Sequence, residues 1–494
     1  MKSDKFTDTT LEKDPNFVNG TATVFSPKKK NKNNQIKRVY IESYGCQMNF
    51  SDSEIVASIL SEQGFINTDK ISSADLVLIN TCSIRDKAEK TIRNRLHHFN
   101  SFKEKNKNLK IGVMGCMAER LKEKLLEEEK IVDLVVGPDA YKDFPKLLEE
   151  IEKDREAINV ILSKEETYGD INPVRINSNG VGAFVSIMRG CDNMCTFCVV
   201  PYTRGRERSR DPKSILKEIN QLSKESYKEV TLLGQNVDSY LWFGGGPKKD
   251  FKKASLLQKK TAVDFSKLLS LVASEHPKMR IRFSTSNPQD MSIDVIKTMS
   301  KYENICNHIH LPVQSGSNSV LEKMNRKHTR EEYIELIDKI KKIIPDCGIS
   351  HDMIAGFPDE NEKDHKDTLS LMEYVKYDFG FMFSYSERPG TPAAKKMKDN
   401  VPEETKKRRL QEIIDLQQLH SKYRLNLMIG KKVCVLIEKS SKRSDEFWSG
   451  RTSQNNVVVF PKENYNVGDF VDVEIKEATS ATLKGNAIEI SSNI

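Results

Sequence analysis

Short apolar runs recur from residue 38 onward, and helical periodicity fills most of the gaps between them. Val39-Tyr40-Ile41 is a strand-sized run, and Ser51 to Gly64 has helical spacing behind a Ser/Asp start. Asp75 to Ile79 predicts a strand, followed by a helix through Phe99. Ile111 to Met114 repeats the unit, and Ile131 to Val136 precedes a helix opened by Pro138. This βαβα order predicts a parallel sheet covered by helices over 37–155. Over 177–415 the alternation continues with a longer period. Strand candidates are 183–189, 229–234, 280–284, 308–313, 348–354 and 378–384, with helical stretches such as Ser214 to Ser223, Thr329 to Ile344 and Glu360 to Tyr377 between them. Six such units in series predict a full or partial β/α barrel. Over 422–494 the pattern changes to short β runs, Val433 to Ile437, Val457 to Phe460 and Phe470 to Ile475, with turn signals at hairpin spacing. That predicts a small antiparallel barrel. The fold class is α/β with this β-barrel appended, and no repeat of fixed period is present.

Two segments fall outside the pattern. Residues 1–36 are polar, and Pro27 to Arg38 holds six basic residues and no acid. They read as a disordered basic tail, either merely solvated or adding affinity for nucleic acid. Trp242 to Val263 is long for a βα connection and carries six lysines, so it is expected to be a disordered insertion or a partner-contacting loop. The net charge of the 494-residue chain is +8 and its mean hydropathy −0.57. No run approaches the ~18 apolar residues of a spanning helix, so no membrane association is expected. Nine cysteines in so long a chain do not resemble a secreted disulfide scaffold, and a reducing, cytoplasmic setting is expected.

Gly190-Cys191-Asp192-Asn193-Met194-Cys195-Thr196-Phe197-Cys198 has the spacing C-x3-C-x2-C. Three thiolates this close can grip three irons of a 4Fe–4S cluster and leave the fourth without a protein ligand, an open position suited to chemistry. A zinc site would want a second close pair, and none is present. The loop also follows the first strand of the barrel series, at the carboxyl end where β/α barrels carry their chemistry. Cys46, Cys82 and Cys116 have 35 and 33 residues between them and no local motif. Each lies two to five residues past a predicted parallel strand. Loops at the carboxyl ends of neighbouring parallel strands converge, so the three are candidates for a second metal centre. Buried, inert cysteines are the competing reading. Cys306, Cys347 and Cys434 have no metal-like spacing and read as filler.

The first motif resembles the radical S-adenosylmethionine (SAM) superfamily. Ser43-Tyr44-Gly45-Cys46-Gln47-Met48-Asn49, together with Met188 through Cys191 and Pro201 through Glu207, resembles the methylthiotransferases within it. The C-terminal β segment resembles the TRAM domain, a small RNA-binding barrel of that family. Ile187 through Cys191 and Gly234-Gln235-Asn236-Val237-Asp238-Ser239-Tyr240 are most similar to the bacterial branch acting on tRNA. The resemblance implies two 4Fe–4S clusters. Cys191, Cys195 and Cys198 would hold the cluster that cleaves SAM to a 5′-deoxyadenosyl radical. Cys46, Cys82 and Cys116 would hold the one that handles sulfur. The implied reaction adds a methylthio group to C2 of N6-isopentenyladenosine next to the anticodon. Sibling branches modify threonylcarbamoyladenosine or a ribosomal-protein aspartate, and a non-catalytic iron–sulfur RNA-binding protein is a rival of another class. Implied partners are the tRNA anticodon loop and an electron donor such as a flavodoxin or ferredoxin, with the chain a monomer. One departure is Asp359 in Gly356-Phe357-Pro358-Asp359-Glu360-Asn361, where the family usually has glycine.

By strand-end position, Gly234, Gln235, Asn236, Ser284, Gln314 and Ser315 are candidates for SAM or substrate contact. His308 and His310 alternate on one strand and are either core residues or cofactor contacts. Arg204, Arg206, Arg208 and Arg210 place four guanidiniums in seven residues beside the cluster loop, either as a solvated face or as a clamp for RNA phosphates. Lys406 to Arg409 and Lys431-Lys432 would extend that phosphate track.

Overall fold

The computed structural model describes residues 37–82, 86–153, 155–176 and 179–491. The basic tail expected over 1–36 lies outside the described residues. The chain divides into two compact units. The first takes the described residues before 177 together with 189–191 and 199–210, and the second takes the rest.

The first unit is built on a six-stranded parallel sheet of β1 (Lys37–Ser43), β2 (Phe65–Asn67), β3 (Leu76–Thr81), β4 (Lys110–Gly115), β5 (Leu134–Val136) and β6 (Ala157–Asn159). The strand order is β2-β1-β3-β4-β5-β6, and every pairing is parallel. β3 is buried along its whole length, as a central strand with both faces covered must be. The short edge strands β2 and β6 were missed by the pattern, because three residues give no periodicity to read. Helix α1 (Gln47–Glu62) starts directly after Cys46, four residues before the predicted Ser51 start.

In the second unit, β7 (Gly182–Ser186), β8 (Glu229–Leu233) and β9 (Arg280–Ser284) form one parallel sheet, with β8 central. β10 (His308–His310), β11 (Gly348–Ala355) and β12 (Phe379–Ser384) form another, with β11 central. A parallel bridge between Ile281 and Ile305 joins the two edges, giving an open six-stranded β/α barrel. Its core is Val185, Leu232, Ile281, Ile309, Ile349 and Met353, backed by helices such as Pro212–Lys224 and Arg330–Ile343.

The 242–263 excursion is ordered, which corrects the expected disordered insertion. Leu241–Trp242 and Val263–Asp264 pair antiparallel at its base, and Lys248–Lys253 and Leu256–Thr261 are short helical turns. Ser255 and Gln258 cap the second turn reciprocally, which stabilises so short a piece.

Helix α2 (Glu403–Asn426) runs unbroken through 415–422, the stretch where the barrel was expected to give way to the last segment. It leads into a closed five-stranded barrel of β13 (Lys432–Ser440), β14 (Phe447–Arg451), β15 (Val457–Pro461), β16 (Phe470–Ala478) and β17 (Leu483–Ile490), in the order β13-β14-β15-β17-β16. Closure removes free strand edges. Among the described residues, no helix is long and apolar enough to cross a membrane.

Candidate functional site

Three loops of the first unit bring Cys46, Cys82 and Cys116 to one edge of the sheet. β1, β3 and β4 are adjacent, with Ser43 beside Asn80 and Thr81 beside Gly115, so all three carboxyl ends finish level. Cys46 then caps α1, and Cys116 opens the helix Cys116–Leu121. The glycines before them are required. Gly45 has φ +114°, and a Cβ there would sit 2.4 Å from Cβ of Cys82. Gly115 has φ +91°, and its Cβ would meet Oδ1 of Asn80 at 2.4 Å.

The cysteines sit in a polar network. Asn49 donates through Nδ2 to Oδ1 of Asn80 (2.9 Å), and Asn80 donates to Oγ of Ser53 (2.9 Å). The Cys46 thiol donates to Oδ1 of Asn49 (3.2 Å). Hydrogen bonding with Cys82, aided by Arg204, lowers the Cys46 thiol below its usual range. Burial raises the thiol of Cys116, and Arg204 opposes that rise. Cys82 and Cys116 are buried, while Cys46 is exposed.

Behind the thiols lies a buried ion cluster. Asp52, wholly buried on α1, receives Nη1 of Arg189 on one oxygen (2.8 Å) and faces Nη2 of Arg204 with the other (2.8 Å). Asp139 receives Arg208 (2.5 Å). Nε of Arg204 donates to Sγ of Cys116 (3.2 Å). These contacts correct the expected phosphate clamp. Arg204, Arg208 and Arg210 are buried, and of the four arginines only Arg206 is exposed. Of the extended track, Lys406 is buried against Asp399 and Glu403 and Arg409 against Glu360, while Lys407, Lys431 and Lys432 are exposed, Lys432 pairing with Asp472 and Glu489.

The C-x3-C-x2-C loop begins at Gly190, whose φ is +79° and whose Cβ would lie 2.1 Å from the carbonyl oxygen of Arg206. Cys191 N–H donates to the carbonyl of Gly205 (3.1 Å). In the second unit, Cys198 N–H donates to the carbonyl of Cys195 (3.1 Å), and Nη1 of Arg326 lies 3.6 Å from Sγ of Cys195. Asp290 ties this loop to the end of β8, receiving Nδ2 of Asn193 (3.4 Å) and of Asn236 (2.7 Å).

The strand-end candidates differ in what they leave available. Gly234 packs tightly, and a Cβ there would meet Cγ of Met188 at 2.5 Å. Oε1 of Gln235 and Oδ1 of Asn236 are buried without a hydrogen-bond partner. Two unmatched carbonyl acceptors are costly in isolation and suit an ammonium donor such as that of SAM. Asp238, close by, has one unmatched oxygen and is raised to about 7 by burial. Ser284 Oγ bonds Thr285 Oγ1 (3.1 Å). Gln314 adopts φ +75°, its backbone bonded on both sides to β11. Ser315 is fully buried, and its hydroxyl is engaged by Thr368 (3.3 Å) and Ser317 N–H (3.2 Å), so it acts within the loop. His308 and His310 both bond Ser350 (3.0 and 2.9 Å), which accounts for them as satisfied barrel residues. Asp359 has φ +60°, a left-handed geometry aspartate tolerates, and exchanges two hydrogen bonds with Asn400 (2.9 and 2.7 Å). The sequence reading gave no role to Asp52, Asn49, Asn80, Asp290 and Arg326. Asn49 lies in the Ser43–Asn49 motif and Asn80 two residues before Cys82, but what each of the five holds appears only in the fold.

Among the described residues, no three His, Cys, Asp or Glu side chains stand at the spacing of a single-ion site. Thiols that each bind a different iron of a cluster need not share one point, so a 4Fe–4S site does not require that spacing.

Three family models match the chain: the uncharacterized protein family UPF0004 over residues 38–137, the radical SAM superfamily over 185–372 and the TRAM domain over 426–488. A relative from Christiangramia forsetii, tRNA-2-methylthio-N(6)-dimethylallyladenosine synthase, is 68% identical over 96% of this chain and 98% of its own. The chain belongs to the tRNA-2-methylthio-N(6)-dimethylallyladenosine synthase family. A member from Flavobacterium johnsoniae is 67% identical over 94% of this chain and 96% of its own. Among solved structures, the radical SAM methyltransferase TsrM of Kitasatospora setae superposes with a TM-score of 0.52 at 13% identity, covering 72% of this chain and 75% of that one. That likeness is one of fold. Membership of the synthase family brings SAM and 4Fe–4S clusters with it.

Proposed function

We infer that the chain methylthiolates C2 of N6-(dimethylallyl)adenosine beside the anticodon of tRNA; dimethylallyl and isopentenyl denote the same five-carbon group. The observation that carries this reading is the convergence of Cys46, Cys82 and Cys116 on adjoining strand ends, in a chain with a separate C-x3-C-x2-C loop. Cys191, Cys195 and Cys198 hold the radical-generating cluster, and Cys46, Cys82 and Cys116 the sulfur-handling one. Bound clusters and SAM supply a hydrogen-abstracting radical, sulfur and a methyl group, which acid–base side chains cannot supply at an unactivated C–H.

The protein's own groups bind and orient. Gln235 and Asn236 offer carbonyl oxygens to the SAM ammonium, and Asp290 holds Asn236 in place while steadying the cluster loop through Asn193. Ser284 and Gln314 border the same strand ends. The adenine is splayed from a single-stranded loop to reach them, which costs little there. The TRAM barrel and exposed Arg206 meet phosphates. The segments 37–155, 177–415 and 422–494 serve as sulfur-handling, radical and RNA-binding domains. A small electron donor of the flavodoxin or ferredoxin type reduces the clusters, and the chain works as a cytoplasmic monomer.

The test is a pair of triple alanine variants. The Cys191/Cys195/Cys198 variant keeps about four irons and loses SAM cleavage. The Cys46/Cys82/Cys116 variant keeps reductive SAM cleavage and makes no methylthio nucleoside by mass spectrometry of tRNA digests. Normal product from the second variant would overturn the assignment of sulfur handling.

A further inference from the structure

Arg204 touches both the Asp52 ion cluster and a candidate cluster cysteine. Its side chain is 3% exposed, Nη2 faces Asp52 at 2.8 Å and Nε donates to Sγ of Cys116 at 3.2 Å. Nη1 is buried and has no hydrogen-bond partner. A guanidinium N–H left buried and unmatched forfeits its hydration with nothing in return, so natural proteins rarely leave one.

The charge around it is dense. Arg189, Arg204 and Arg208 are buried cations, and the side chains of Asp52 and Asp139 are buried carboxylates that face them. A buried guanidinium with an unmatched donor beside cysteine sulfur calls for a further acceptor there.

We propose that Arg204 is a positioning residue for the cluster held by Cys46, Cys82 and Cys116: it hydrogen-bonds the sulfur of that cluster and sets its reduction potential. The proposal rests on the reading that these cysteines hold a cluster. One-electron reduction adds a negative charge, and a buried cation beside sulfur stabilises the reduced form, so Arg204 raises the potential. Lysine keeps the charge but loses the planar fork that serves Asp52 and sulfur together.

The test uses the full-length chain with Cys191, Cys195 and Cys198 replaced by alanine, so that only one cluster contributes. Potentiometric titration followed by electron paramagnetic resonance compares this parent with Arg204→Lys and Arg204→Met. The expected result is iron content close to the parent in both, a potential shifted negative in Arg204→Met, a smaller shift in Arg204→Lys, and altered g-values in each. If Arg204→Met fails to fold because Asp52 is left uncompensated, Asp52→Asn/Arg204→Met is compared with Asp52→Asn alone, and the same negative shift is expected. An iron-loaded Met variant, single or paired, whose potential and g-values equal those of its reference overturns the proposal and leaves the cysteine assignment standing. A parent without iron overturns that assignment and this proposal with it.

Discussion

Replacing Glu229 with glutamine should loosen the joint between the β/α barrel and the C-terminal barrel. Glu229 opens β8 and is 2% exposed. It receives Nε of Arg282 on one oxygen (2.8 Å) and Nη2 of Arg451 on the other (3.0 Å). Arg282 goes on to donate to the carbonyls of Ser453 (3.0 Å) and Thr452 (2.6 Å), and Arg280 to that of Arg451 (2.8 Å). The carboxylate thus holds the arginines that grip the 451–453 turn. Removing one partner of a buried ion pair costs about 3–5 kcal/mol. Arg451 is one-third exposed, so its share is screened to about 1 kcal/mol or less. Arg282 keeps its carbonyl acceptors, so the lower end, about 3 kcal/mol, is expected. With a urea slope near 3 kcal/mol/M, the midpoint should fall by about 1 M at pH 7. The pH dependence has a definite sign. Burial alone would raise Glu229, but Arg282, Arg451 and Arg280 outweigh it and leave the carboxyl below its usual range. Its stabilisation is therefore full above the unfolded value of about 4.3 and is lost as pH falls through the folded value. Urea unfolding of wild type and Glu229→Gln at pH 7 and at pH 4 and below measures both effects. A midpoint unchanged at pH 7, or a difference that widens on acidification, would refute the reasoning.

Reversing charge at Lys252, Lys253, Lys259 and Lys260, all exposed on the 242–263 excursion, should weaken tRNA binding and flatten its salt dependence, measured by filter binding across a salt series. Gln235→Leu, which removes an unmatched acceptor, should weaken SAM binding about tenfold or more in equilibrium dialysis, with iron content intact. Gly190→Ala should lower iron in the radical-cluster loop, because a Cβ there runs into the carbonyl of Arg206 at φ +79°. Iron assay of that variant in the Cys46/Cys82/Cys116→Ala background isolates the effect.

The three-part architecture was legible because each part has its own period. Alternating strand and helix runs announced the two α/β parts, and hairpin turns announced the closed barrel. What failed was anything resting on polarity alone. α1 is the clearest case: Ser51, Asp52, Ser53, Glu54, Ser58 and Ser61 are all buried, alongside Ile55, Val56 and Leu60. Helical spacing located α1, but a helix buried on its polar side does not show in sequence that its polar face is covered. Its acids are satisfied by Arg189 and Arg204, which lie over 130 residues away in sequence, and by Arg175.

The same physics explains why the arginine run misled. Charge in a linear sequence reads as a surface, since an isolated guanidinium is rarely buried. Arg204 and Arg208 are buried because Asp52 and Asp139 wait for them at the end of a sheet, and no spacing rule relates 52 or 139 to 204. The cysteines escaped this trap for a different reason. Cys191, Cys195 and Cys198 carry their geometry within one loop, so spacing suffices. Cys46, Cys82 and Cys116 were recoverable because each follows a strand of one parallel sheet, and adjacency of β1, β3 and β4 brings their ends together. A residue whose place is set by its own strand can be found from sequence; one whose place is set by a distant partner's charge appears only in the folded chain.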